Sequence, residues 1–184
     1  MHALSAAQII DIYQTHGSMV YAGETISHLA HAWQCGQLAY FAEASPELQL
    51  ACWLHDLGQV IHSLEGRSTP CGQDDHHEEV GAALIEHLWG PAVAEPVRLH
   101  VQAKRYLVTR HPNYLTKLSD ESRRSLDLQG GLMSPAACLA FECSPHHKSS
   151  LLLRVWDEQA KHREWFAPSR RDALDQLRDL MKSL

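Results

Sequence analysis

The sequence predicts an all-α protein, a single helical bundle in which residues 1–184 form one domain. Three observations carry this. No segment alternates apolar and polar residues as a half-buried strand does. Apolar residues recur instead at helical spacing, as in Ile26, Leu29, Ala30, Trp33, Leu38 and Phe41. Ser-Pro, Gly-Pro and Ser or Asp cap signals punctuate the stretches between them.

Taken in order, Ser5 caps a first helix that ends at Gly17. A second runs from about Gly23 to Ala44. Ser45 and Pro46 open a third as cap and first helical residue, and it continues to about His62. Residues 63–74 are loop by composition. Asp74 or Asp75 caps a fourth helix, HHEEVGAALIEHLW, which Gly90-Pro91 stops. A fifth spans Ala92–Val108, and 109–134 read as a long loop with room for one short helix. Ser134-Pro135 opens a short helix, a longer one covers Lys148–His162, and Ser169 caps a final amphipathic helix.

Apolar residues make up 45% and charged residues 21% of the chain, ordinary for a soluble globular protein. The net charge of −6 gives no reason to expect nucleic acid or an anionic membrane as partner. No apolar run is long enough to span a bilayer. The start, MHALSAAQIIDIYQ, lacks the pattern of a signal peptide. Cys35, Cys52, Cys71, Cys138 and Cys143 form no CxxC pair, and without a secretion signal they predict reduced thiols in a cytoplasmic protein.

The unusual count is 14 histidines. His2, His16, His111, His146, His147 and His162 sit in polar or terminal contexts, and His28 and His87 read as structural. The stretch LHDLG, residues 54–58, is different, because it puts His55 and Asp56 side by side within an apolar run. Adjacent helical residues point about 100° apart, so the pair can address two metals, with the two carboxylate oxygens of Asp56 as a bridge. His31, His77, His100 and Asp157 complete six candidate ligands on five helices, and a bundle can turn all of them inward. Imidazole with carboxylate suits Fe, Mn or Zn, and the lack of thiolates argues against a structural zinc site. A lone helical histidine is more often a hydrogen-bonded core residue; the order and spacing of all six carry the metal reading.

Tyr21, Glu24, His28 and His31 share one helical face, Lys104 lies one turn after His100, and Arg154 precedes Asp157 by three. Lysine and arginine there suit an anionic substrate group, whereas a solvated Lys104 and a structural Arg154–Asp157 pair are the plain alternatives.

The order H, HD, H, H, D resembles the HD-domain superfamily, in which two extra histidines complete a binuclear centre. Most of that superfamily are phosphohydrolases, and a metal-binding regulator without catalysis is the further alternative. YAGE, HVQAKRYL, RVWDE, HEEVGA, SDESR and QGG, taken with LHDLG, make the chain similar to a narrower group: the mixed-valent di-iron HD oxygenases that cleave the carbon–phosphorus bond of 1-hydroxy-2-aminoethylphosphonates, and most closely its glycine-forming branch. The likeness runs from about Tyr21 to Lys161. It implies two irons, Fe(II) and Fe(III), held by His31, His55, Asp56, His77, His100 and Asp157 with Asp56 bridging. It implies a small phosphonate and O2 as reactants, with phosphate and an amino acid as products. By the same resemblance Tyr21 and Glu24 occupy the site before substrate enters, Glu24 then faces the substrate ammonium, and Lys104, Ser122 and Arg154 contact the phosphonate. One position departs from the pattern, because Gln59 stands where relatives carry a histidine, in HDLGQ rather than HDLGH. An N-trimethylated substrate would need an aromatic cage, for which Tyr21, Trp33, Tyr106 and Tyr114 are the candidates.

Overall fold

The computed structural model describes residues 3–20, 25–64, 74–166 and 168–184. Tyr21, Glu24 and most of the predicted 63–74 loop lie outside them. The described residues form ten α-helices and one 3-10 helix, with a single isolated bridge between Val20 and Ser27 as the only β pairing among them.

Helix α1 is Ala6–His16, opened by a capping box in which Ser5 accepts from the Gln8 amide and Gln8 accepts from the Ser5 amide. Helix α2 is His28–Phe41, capped by the Ser27 hydroxyl. The expected start near Gly23 is thus too early: Ser27 is extended and the helix begins at His28. Helix α3, Pro46–Leu54, starts on the Ser45 cap with Pro46 in its first turn.

The predicted third helix does not run through to His62. It breaks at His55–Asp56, and α4 resumes at Leu57–Leu64. The His55 ring bonds the carbonyl of Cys52 at 2.9 Å, taking up an acceptor that the end of α3 leaves without a helical partner. The break sends His55 and Asp56 to different neighbours.

Helix α5, His77–Trp89, ends on Gly90, whose φ of 70° suits glycine. Neither Asp74 nor Asp75 is its formal cap. That position is His76, in left-handed backbone, while Asp75 accepts from the His77 amide at 3.3 Å. Helix α6, Pro91–Arg110, is the longest. The stretch read as a long loop holds a 3-10 helix, Pro112–Lys117, and α7, Asp120–Leu128, capped by Ser119. Helix α8 is Pro135–Glu142, α9 is His147–Gln159 and α10 is Arg170–Lys182.

Helix α6 lies at the centre, against α3, α5 and α9, and α2 packs on α3 and α9. Leu50, Leu54, Leu57, Ile85, Leu153 and Leu177 are fully buried in the main core. These helices are the ones that carry the six candidate ligands. Among the described residues no helix is long and apolar enough to cross a membrane.

Helices α4 and α5 meet at Gly58 and Gly81. A Cβ at Gly58 would collide with the His77 carbonyl and stand 2.9 Å from the Gly81 nitrogen. Both obstacles are backbone, so neither can swing aside. Gly58→Ala should therefore push α5 outward, lowering stability by about 1–3 kcal/mol and displacing His77. Thermal unfolding and metal titration of the variant check this.

Candidate metal centre

The structure brings all six candidate residues into two buried trios, one of His31, His55 and Asp157 and the other of Asp56, His77 and His100. The ligand atoms within each trio lie within 4.8 Å of one another. His31 comes from α2, His55 and Asp56 from the α3–α4 break, His77 from the start of α5, His100 from the middle of α6 and Asp157 from the end of α9.

Each ring is held from behind by its Nδ1. His31 faces the Ala160 carbonyl at 2.8 Å, His55 that of Cys52 at 2.9 Å and His100 that of Val97 at 2.7 Å. His77 faces the Asp75 carboxylate at 2.8 Å. Carbonyl and carboxylate oxygens only accept, so these partners assign the hydrogen to Nδ1 and turn the Nε2 lone pair inward. The lone pairs meet: His31 and His55 Nε2 lie 3.2 Å apart, and His77 and His100 Nε2 3.3 Å apart. Two such acceptors at this distance repel unless a proton or a metal ion stands between them; burial lowers His55, but the Asp56 carboxylate beside it reverses this and holds the ring well above the usual imidazole range.

The carboxylates repeat the demand. Asp56 Oδ2 and Asp157 Oδ1 are buried and accept no hydrogen bond. Asp56 Oδ2 lies 3.4 Å from His31 Nε2 and 3.3 Å from His55 Nε2, while its Oδ1 lies 3.5 Å from His77 Nε2. One oxygen faces each trio, the disposition a bridging carboxylate needs. Burial pushes the Asp56 and Asp157 carboxyls up, but the histidines around them, with Arg154 beside Asp157, reverse this and hold both well below the usual range. Both stay ionised, and the centre calls for positive charge to compensate buried anions. His100 is pushed down to about 3 by burial and by His77 and His55, and so remains a neutral imidazole. The donor set fits a pair of metal ions.

A small, partly open cleft leads to the second trio, lined among others by Gln59, Lys104, Ser122, Gln129 and Arg154. Lys104 is 5% exposed and donates to Ser125 Oγ at 2.8 Å, so it is not a solvated surface lysine. Burial, with Arg154 and Lys161 nearby, pushes it down to about 7. Arg154 bonds Asp157 and Glu158 and reaches Ser122 Oγ at 3.2 Å. The structural Arg154–Asp157 pair is therefore present, and the same guanidinium lines the cleft. Gln59 and Gln129 each bury a side-chain oxygen with no hydrogen-bond partner.

His77 rather than His76 enters the centre: the His76 ring is exposed and lies 3.3 Å from Asp74. Trp33 packs on Trp165 and Phe166 and donates to Gln176, and Tyr106 donates to Glu142, so neither faces the cleft. Tyr114 packs with Val108, Leu118 and Leu126 and is not part of the lining. Sequence reasoning allowed one short helix within 109–134 without placing it, so it missed Ser125 on α7, and it missed the role of Asp75. The signal for α7 was present, a serine cap followed by Asp120 and Glu121 in the first turn.

No family model matches the chain. It is 40% identical over 154 residues to hydroxymethylphosphonate dioxygenase of Gimesia maris, covering 83% of this chain and 76% of the relative. It is 32% identical over 157 residues to the glycine-betaine-forming 1-hydroxy-2-(trimethylamino)ethylphosphonate dioxygenase of Leisingera caerulea, covering 85% and 80%. An uncharacterized protein of Acanthamoeba polyphaga mimivirus is 34% identical over 155 residues, covering 83% and 71%. The chain belongs to the HD-domain phosphonate dioxygenases, a family of oxygenases. These relatives place it in the family without placing it in the glycine-forming branch.

Asp75 can be tested directly. Asp75→Ala removes the acceptor behind His77 and should weaken metal binding roughly 10- to 100-fold. A metal titration of the variant against the unmodified protein measures it; unchanged affinity would show that His77 needs no support.

Proposed function

We propose that the protein is an iron-dependent oxygenase that uses O2 to break the carbon–phosphorus bond of a small 1-hydroxyphosphonate. The carrying observation is the pair of facing trios, with one Asp56 oxygen toward each, opening on a cleft with Lys104 and Arg154 in its wall. His31, His55 and Asp157 would hold one iron and Asp56, His77 and His100 the other, as an Fe(II)/Fe(III) pair. Bound there, the pair supplies Lewis acidity and an electron store for oxygen chemistry.

The protein's own part is binding and orientation. Lys104 and Arg154 present donors to the phosphonate, with Ser122 beside them in the same wall, and Gln59 adds an amide that recognises without charge. Cationic groups at this end leave the carbon end of the substrate directed toward the trios. In balance, hydroxymethylphosphonate and O2 give formate and phosphate. The 2-amino and 2-trimethylamino analogues give glycine and glycine betaine. The relatives that act on hydroxymethylphosphonate and on the trimethylated compound support the class. Tyr21 and Glu24 are assigned to the reacting end by resemblance, with Glu24 facing an ammonium where the substrate has one. The described cysteines are free thiols, which supports a reducing cytoplasmic setting for this single domain.

The test is oxygen uptake by the iron-loaded protein with each of the three phosphonates, with phosphate assayed in the same vessel. Matched oxygen loss and phosphate release with at least one is expected. Phosphate release from a phosphate ester without oxygen, and no uptake with any phosphonate, would instead mark a phosphohydrolase. Asp56→Ala should cut bound iron below two per chain, measured by elemental analysis. Two irons retained would remove Asp56 from the ligand set.

A further inference from the structure

The cleft holds a third cation. Lys161 follows α9, its side chain is 11% exposed, and it lines the same wall as Lys104 and Arg154. Its ammonium donates to Ser122 Oγ at 2.9 Å and to Ser119 Oγ at 3.0 Å. Arg154 donates to the same Ser122 oxygen at 3.2 Å. A hydroxyl has two lone pairs and one hydrogen, and Ser122 gives that hydrogen to Glu158 at 3.0 Å. Two cations thus converge on one oxygen atom inside the cleft wall, and that oxygen shows where an anionic oxygen would be held.

The charge balance points the same way. Arg154 is paired with both Asp157 and Glu158. Glu121, also in the lining, is held by two bonds from Arg124, at 3.0 and 2.7 Å. Asp56 and Asp157 line the cleft and Glu158 lies beside it, so Arg154 and Lys104 alone fall one charge short of these three carboxylates, and Lys161 is the third cation that matches them. Glu158 keeps it in place: its carboxylate lies 3.6 Å from the ammonium and accepts from the Ser119 amide at 2.6 Å, tying the end of α9 to the start of α7.

We propose that Lys161 binds the anionic end of the substrate together with Lys104 and Arg154, with Glu158 as the residue that positions it. This rests on reading the cleft as a phosphonate site, so the test separates the two claims. Methylphosphonate lacks the 1-hydroxyl that the proposed reaction oxidises, and its binding to the metal-loaded protein can be titrated by calorimetry without turnover. Lys161→Met should weaken binding about tenfold or more, the scale of a lost charged hydrogen bond. Lys161→Arg should restore most of it, and neither should change metal content. If Lys161→Met fails to fold, Lys161→Gln, which keeps a donor but no charge, is expected to show the same loss. Unchanged affinity in the neutral variants, with affinity lost in Lys104→Ala, would overturn the role of Lys161 and leave the phosphonate site standing. No methylphosphonate binding by the unmodified protein would overturn both.

Discussion

Four buried imidazole rings turn their Nε2 atoms toward one another at the inner end of the cleft, and each is kept from turning away by an acceptor behind it. This constraint governs the rest of the structure. Lone pairs and two ionised carboxylates packed together are costly in the absence of compensating cations. The fold bears that cost through a core in which Leu50, Leu54, Leu57, Ile85 and Leu153 are fully buried around the same helices. The helices approach closely where side chains are smallest, at Gly58 and Gly81, and that approach sets the position of His77.

The cleft follows from the same geometry. Asp157 lies at the end of α9, so Arg154, one turn earlier, and Lys161, just beyond, reach the neighbouring wall. Lys104 comes from the turn of α6 that follows His100. Metal ligands and anion-binding groups thus share elements, and a substrate held by its anionic end is presented to the centre without a separate binding domain.

Much of this was legible in the sequence because caps and periodicity are local signals. Ser5, Ser45, Ser134 and Ser169 begin helices as their side chains demand. The six candidate residues stand out because His31, His77, His100 and Asp157 lie in helices while His55 and Asp56 fall side by side in an apolar run. What was not legible depends on contacts across the chain. The break after Leu54 lies within an apolar stretch that carries no proline or cap signal to mark it, and tertiary packing decides it. The end of α9 falls at Gln159 rather than His162, where Gln34 bonds the backbone of His162 in both directions. The start of α2 has a simpler reason: apolar periodicity extends past Ser27, but its hydroxyl caps the helix there. Trp33 offered an aromatic face on paper, but its partners, Trp165 and Phe166, come from the far end of the chain.

The bonds behind the four rings differ in reach. His55 and His100 each bond a carbonyl three residues earlier, whereas the bond from His31 to Ala160 spans 129 residues. With the His77–Asp75 contact two residues apart, three of the four supports are therefore local to their own stretch of chain, and only that of His31 waits for the far end. On the ribosome, the trio of His31, His55 and Asp157 stays incomplete until α9 has emerged and docked against α2. An ion captured before then could meet only part of its ligand set, so synthesis itself orders the loading of the centre.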